Sequence, residues 1–363
     1  MKILLCTPYN HLGKNPGGIS VWAKNIYEYV IGNILDIKFD MYSCDRSHCI
    51  NENTGTFKRI FYGILDYLHF IYDIFNKVRK EHYDVVHITS TASVGTIKDL
   101  LLCCLLRKRT KVFIHYHFGR IPELATQSSM EWKMIQKTAK LAHKVIVMDN
   151  ASYCVLKEQG VDNVADIPNP YSPDIERIIA ELEGKVQRKK RRVLFLSRVF
   201  RKKGIYELVA ACSKLNDIEL RIVGPYESID KENLMQITGN ADWIDFIGPV
   251  QYDNVIEELM SSEICCIPTY TEGFPNIVME CMLSKTPLIT TPVGAIPQMM
   301  DLDGIPCGIF VEPRDVDGLR DAIFSLLGNF EQQEKMTNIG AERVRRLYSV
   351  KVVAEQLLHE WAS

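Results

Sequence analysis

The sequence predicts an α/β protein built from two doubly wound, parallel-sheet domains, and three observations carry that expectation. Its 363 residues are about twice a common domain length of roughly 100–200. Short apolar runs rich in strand-forming residues alternate with longer helical patterns, which gives βαβ units and parallel sheets covered on both faces. The alternation restarts after Pro168-Asn169-Pro170-Tyr171-Ser172-Pro173, where three prolines in six residues mark an interdomain crossing.

The elements follow in order. Ile3-Leu4-Leu5-Cys6 makes Lys2–Thr7 a first strand, and the run is too short for the apolar core of a signal peptide. A helix over 19–32 leads to a strand at Ile37–Tyr42, and an aromatic-rich helix over 57–81 leads to a strand at Val85–Ile88. A helix over 92–107 precedes the strand Lys111–His115; helices over 130–142 and 150–159 flank the strand Lys144–Met148, and Asp166–Ile167 closes the first half. In the second half strands fall at Arg192–Ser197, Glu219–Val223, Ile244–Ile247, Ile264–Ile267, Pro287–Thr290 and Gly308–Val311. Helices there cover 204–215, 228–239, 251–261, 275–285, 294–301, 315–328 and 331–347. Twelve strands are too many for one tidy open sheet.

Composition excludes several classes. Hydrophobic residues make up 47% and charged residues 24%, the balance of a soluble globular chain. A net charge of −2 excludes a generally polycationic nucleic-acid binder. That total hides +4 on residues 1–180 and −6 on the rest. Eleven cysteines, with adjacent pairs at Cys103-Cys104 and Cys265-Cys266, read as mostly buried free thiols of a reducing, cytoplasmic compartment. Cys44, His48 and Cys49 lack a second ligand pair at zinc spacing, so no metal site is expected. No stretch approaches the roughly 18 apolar residues of a membrane span. Leu100–Leu106 followed by Arg107-Lys108-Arg109 is either a helix resting on an anionic membrane surface or a buried helix with a basic end.

In doubly wound folds ligands bind beyond the carboxyl ends of the strands, so the segments just after strands carry the chemistry. After the first strand, a loop ends in Gly17-Gly18 at a helix start, where backbone N–H groups can approach an anion. After the fourth comes His115-Tyr116-His117. The two histidines are expected to face opposite ways, with one entering the ligand site as a partner for a substrate hydroxyl. Four cations in six residues, Arg198 and Arg201-Lys202-Lys203, follow the seventh strand and suit a diphosphate. The sharpest segment is Pro268-Thr269-Tyr270-Thr271-Glu272-Gly273-Phe274-Pro275-Asn276-Ile277-Val278-Met279-Glu280. Pro275 suits a first helical turn, and the free N–H groups within 274–277 could take a phosphate. Glu280 lies among apolar residues and needs a partner if buried. Carboxylates beside a diphosphate would repel it, so Glu272 and Glu280 fit the neutral sugars at its two ends.

Glu272 and Glu280 match the E-x7-E motif, and the chain here resembles the family 4 retaining glycosyltransferases. The likeness takes in Gly17-Gly18, His117, Arg198 with Lys203 and Gly204, Ile222-Val223-Gly224, and Pro287 to Pro297. It implies the GT-B fold, two Rossmann-like domains facing across a cleft: an acceptor-side domain at 1–170, a nucleotide-sugar donor domain at 171–347, and a last helix in 348–363 returning to the first. By that resemblance Arg198 and Lys203 bind the donor diphosphate, Glu280 holds the ribose, and Glu272 contacts the transferred hexose. Gly273, Phe274, Pro275, Asn276 and Ile277 complete that segment, Gly17 and Gly18 lie over the phosphates, and His117, with His115 as fallback, stands beside the sugar. Gly224 and Val250 border the base, although Ile222-Val223-Gly224-Pro225 is shorter than the family's Gly-x-Gly-Pro turn.

The expected reaction is metal-independent, retaining transfer of a hexose from a UDP- or GDP-sugar, with no cofactor, and closure of the domains would exclude water. The acceptor is a glycan or lipid-linked saccharide, in surface polysaccharide biosynthesis. Peripheral contact with the inner face of the cell membrane is an open expectation, and the aromatic helix from Phe57 to Tyr72 either packs internally or meets lipid. A sugar-nucleotide 2-epimerase, a glycan phosphorylase or a non-catalytic sugar-binding protein would share the architecture.

Overall fold

The computed structural model describes residues 1–8, 18–43, 56–91, 95–239 and 241–363. Gly17, Cys44, His48 and Cys49 therefore lie outside the described residues. The chain divides into two compact units, Met1–Pro170 with Val350–Ser363, and Tyr171–Ser349.

The first unit alternates β1 (Lys2–Thr7), α1 (Gly18–Asn33), β2 (Lys38–Ser43), α2 (Thr56–Glu81), β3 (Val85–Ser90), α3 (Gly95–Leu106), β4 (Lys111–Tyr116), α4 (Ile121–Thr126), α5 (Met130–Leu141), β5 (Lys144–Val147), α6 (Asn150–Glu158) and β6 (Val164–Asp166). Its six strands are all parallel, in the order β2-β1-β3-β4-β5-β6. Successive strand residues point to opposite faces, so each face has its own core. Leu4, Val86, Ile88, Val112 and Ile114 meet α2, α3 and α5 on one side. Ile3, Leu5, Val85 and Phe113 meet α1 on the other, together with the last helix of the chain. β6 lies two residues earlier than the sequence pattern suggests, because Val164 is the residue buried there. The short helix α4 was not anticipated.

The second unit runs α7 (Asp174–Leu182), β7 (Lys189–Leu196), α8 (Ile205–Cys212), β8 (Glu219–Val223), α9 (Ser228–Ile237), β9 (Ile244–Gly248), α10 (Tyr252–Ser261), β10 (Ser262–Ile267), α11 (Asn276–Leu283), β11 (Leu288–Thr290), α12 (Ile296–Met300), the two-residue strands β12 (Asp301–Leu302) and β13 (Ile305–Pro306), β14 (Ile309–Phe310), α13 (Val316–Leu326) and α14 (Phe330–Leu347). Six parallel strands form its main sheet in the order β14-β11-β10-β7-β8-β9. The antiparallel hairpin β12–β13 was not anticipated. Buried Arg343 holds it from α14, donating to the carbonyls of Met300 and Ile305 at 2.6 Å each. The chain enters and leaves this unit side by side, with the Tyr171 amide donating to the Tyr348 carbonyl at 2.9 Å. α15 (Val350–Ala362) then lies on the first unit against α1, burying Val353, Leu357 and Trp361.

The nine described cysteines are free thiols, and seven of them are buried.

Candidate functional site

In the second unit β7 begins the chain's path through the sheet, β8 is added on one side and β10 on the other. The connections out of β7 and β10 diverge there, leaving a crevice at their carboxyl ends. Two loops line it, the one from Ser197 to Gly204 and the one from Pro268 to Pro275. The Tyr270 amide donates to the Lys202 carbonyl at 2.9 Å and ties the two loops together, and the Ala295 amide donates to the Gly273 carbonyl at 2.9 Å and ties the second loop to the turn before α12. Gly204 has φ +72° and sits so close that a Cβ would lie 1.9 Å from the Pro268 carbonyl oxygen. Gly294, at φ +58°, approaches the Glu272 carbonyl in the same way, with 2.2 Å for a Cβ. Only glycine accepts that backbone and that approach together, so both residues lock the Glu272 segment in place. Helix α12 consequently starts at Ile296, after the Gly294 turn, rather than at 294.

The side chains follow from this frame. Lys203 forms an ion pair and hydrogen bond with Glu272, both largely withdrawn from water. Arg198 is exposed just beyond β7. Gly224, at the end of β8, abuts the Ser197 carbonyl, where a Cβ would come within 2.1 Å. Gly273 is half-buried, and Phe274 is buried edge-on against Tyr348 with ring centroids 5.5 Å apart. Pro275 precedes α11 and no side chain caps that helix. The first N–H groups of α11, at Asn276 and Ile277, therefore sit at a helix N-terminus suited to an anion.

Glu280 is 9% exposed in the second turn of α11. Its partner is Tyr252, whose hydroxyl donates to Glu280 Oε1 at 3.1 Å. Burial pushes the Glu280 carboxyl up to about 7, and burial beside that carboxylate also raises the Tyr252 phenol. Val250 is half-buried two residues before Tyr252, after β9. The sequence shows that Glu280 needs a partner but does not single out Tyr252, for which the nearby Pro249-Val250 segment is the available signal.

In the first unit, Gly18 is the exposed first residue of α1 and His117 follows β4 directly. Trp22, one turn after Gly18, meets His117 with ring centroids 4.8 Å apart. The expectation that His115 and His117 face opposite ways is overturned. Residues two apart on a strand share a face, and the two rings lie 4.0 Å apart at 35°. His115 is fully buried, and His117 is half-buried beyond it.

His87 and Trp361, which the sequence did not single out, explain how these rings are held. The indole Nε1 of Trp361 donates to His87 Nδ1 at 3.0 Å, and His87 Nε2 lies 3.3 Å from His115 Nδ1. Indole N–H only donates, so His87 carries its own proton on Nε2 and passes a hydrogen bond to His115. Burial pushes His87 down to about 3, and burial with His87 nearby pushes His117 down to about 3. Burial, with His117 and His87 nearby, also holds His115 well below the ordinary imidazole value, so all three rings are neutral at pH 7. Nε2 of His115 and Nε2 of His117 make no hydrogen bond among the described residues. No group of three or more His, Cys, Asp or Glu among the described residues could hold a metal ion.

Residues 179–343, which include both carboxylates and both cations, match the family described as Glycosyl transferases group 1. The chain carries a glycosyl transferases group 1 domain. The chain is 25% identical over 295 residues to the MMP alpha-(1->4)-mannosyltransferase of Mycolicibacterium hassiacum, covering 77% of this chain and 70% of that protein. It is 26% identical to the capsular polysaccharide biosynthesis glycosyltransferase CapM of Staphylococcus aureus over 45% of this chain, and spans only 43% of that relative. Among solved structures, the sucrose-phosphate synthase of Thermosynechococcus elongatus superposes with a TM-score of 0.77 at 18% identity, over 99% of this chain and 98% of that one. Anabaena HepE in complex with UDP superposes with a TM-score of 0.72 at 15% identity over the whole of both chains. These neighbours share the GT-B fold with this glycosyltransferase.

Proposed function

We propose that this glycosyltransferase moves a hexose, with retention and without a metal, from a nucleotide-diphosphate sugar to a hydroxyl of a glycan or lipid-linked acceptor in polysaccharide biosynthesis. The observation that carries the reading is the Lys203–Glu272 pair beside the uncapped α11, with Glu280 one helical stretch away. Arg198, Lys203 and the α11 N–H groups would neutralise the leaving diphosphate in the way a cation does elsewhere. Glu272 is held by Lys203 until the sugar arrives. Its carboxylate and that of Glu280 would accept from sugar and ribose hydroxyls. His117, with Nε2 unpartnered among the described residues, is assigned to the transferred sugar's hydroxyls. A UDP-bound neighbour and relatives called mannosyltransferase and capsular polysaccharide glycosyltransferase support the donor class and the pathway class. A panel of UDP-, GDP- and ADP-sugars, each assayed for turnover with and without EDTA, tests this. One donor turned over equally well with chelator is expected, and a strict need for a divalent ion would refute the metal-free part.

Glu280 adds a pH signature. Its folded value of about 7 exceeds the ordinary 4.5, so the folded chain holds a proton that the unfolded chain loses first. The stability that this group contributes therefore falls as pH rises between those values and levels off above them. Ribose hydroxyls donating to the carboxylate favour its charged form. UDP binding should tighten by up to about tenfold from about pH 6 to about pH 8, with proton release at the lower end. Calorimetric titration in buffers of different ionisation enthalpy reads both quantities, and pH-independent binding would remove Glu280 from the ribose site.

A further inference from the structure

Helix α3 is built inside out for a helix facing water. Its two charged residues are buried: Lys98 Nζ bonds to Asp99 Oδ1 at 2.6 Å, and Asp99 also accepts from the Ser90 hydroxyl at 2.5 Å. Its outward residues are apolar, with Ile97 49% exposed, Leu101 44% and Leu105 45%. The neighbouring α2 continues the surface with Ile64, Leu68 and Tyr72, which are 51%, 56% and 65% exposed. Both helices, and α5 beside α3, bury their other faces in one core on the same side of the sheet. Their outward faces therefore form one layer pointing away from it. Exposed apolar residues gathered on the outward faces of neighbouring helices mark an interaction site.

Charge identifies the partner. Arg107, Lys108 and Arg109 follow α3 directly, Lys133, Lys137 and Lys140 line α5, and all six are exposed. Neither α3 nor α5 exposes an acidic residue: Asp99 is buried, and Glu131 is largely covered beside Arg120 at 3.9 Å. A second copy meeting this face across a two-fold axis would set these cations against themselves. An anionic lipid surface satisfies both features, taking the apolar strip between its headgroups and pairing the cations with phosphates. No helix among the described residues is long and apolar enough to cross a membrane, so contact is with the surface.

We propose that the outer face of α2, α3 and α5 docks on an anionic lipid bilayer. This uses no residue of the donor site and stands apart from the proposed reaction. The test is co-sedimentation of the full chain with phosphatidylcholine vesicles containing or lacking phosphatidylglycerol, at low and high salt. Binding to the anionic vesicles alone, weakened by salt, is the expected result. Leu101→Ser with Leu105→Ser should weaken it by roughly tenfold or more, and so should Lys133→Glu with Lys137→Glu, while circular dichroism and turnover of the sugar donor in solution stay unchanged. Equal binding to both vesicle types, binding to neither, or unimpaired binding by the lysine variant would overturn the proposal. A concentration-dependent dimer broken by the leucine changes, without vesicle binding, would replace it with self-association.

Discussion

Lys203→Ala should lower the rate of sugar transfer by roughly 10²-fold or more, the scale expected when a preorganised charge on a leaving group is removed. The substitution deletes the cation beside the α11 N-terminus and leaves Glu272 without its partner. The two consequences separate in the kinetics. Stabilisation of the departing diphosphate acts in the transition state and appears in kcat, whereas a misplaced Glu272 appears chiefly in KM for the sugar. Lys203→Arg keeps the charge and should recover much of the rate. Near-normal turnover in the alanine variant would end the assignment of Lys203 to the leaving group.

Trp361→Ala should destabilise the first unit by about 3–5 kcal/mol, the usual cost of truncating a large buried aromatic. Trp361 is completely buried against Phe39, with ring centroids 5.4 Å apart, and donates to His87. Trp361→Phe retains most of the packing and removes only the indole N–H, so about 1–3 kcal/mol is expected from the unsatisfied His87 nitrogen. Urea titration followed by tryptophan-independent circular dichroism measures both. A loss under about 1 kcal/mol in the alanine variant would mean that α15 is dispensable to the unit it covers.

Much of this was legible beforehand because its signals are local. Val85-Val86 and Ile264-Cys265-Cys266-Ile267 are apolar runs whose only stable place is a buried parallel strand. Glu272 and Glu280 are eight positions apart, so their loop and helix placement could be judged from Pro275 between them. Local rules also have limits. The two-residue strand period places His115 and His117 on one face, against the expectation that they face opposite ways. The hairpin β12–β13 escaped because two-residue strands carry no periodicity; it depends on an arginine far along the chain.

The sequence by itself determined the two parallel-sheet units and the segments after strands where the chemistry gathers, because strand and helix periods and turn residues act over a few positions. Only the tertiary structure decided the partners: Tyr252 for Glu280 across 28 residues, Lys203 for Glu272 across 69, and Trp361 for His87 across 274. Strand order and helix packing set those encounters, and no local pattern encodes them. The same holds for α3, whose apolar run admits a core and a surface reading until burial of Lys98 and Asp99 shows which face is turned inward.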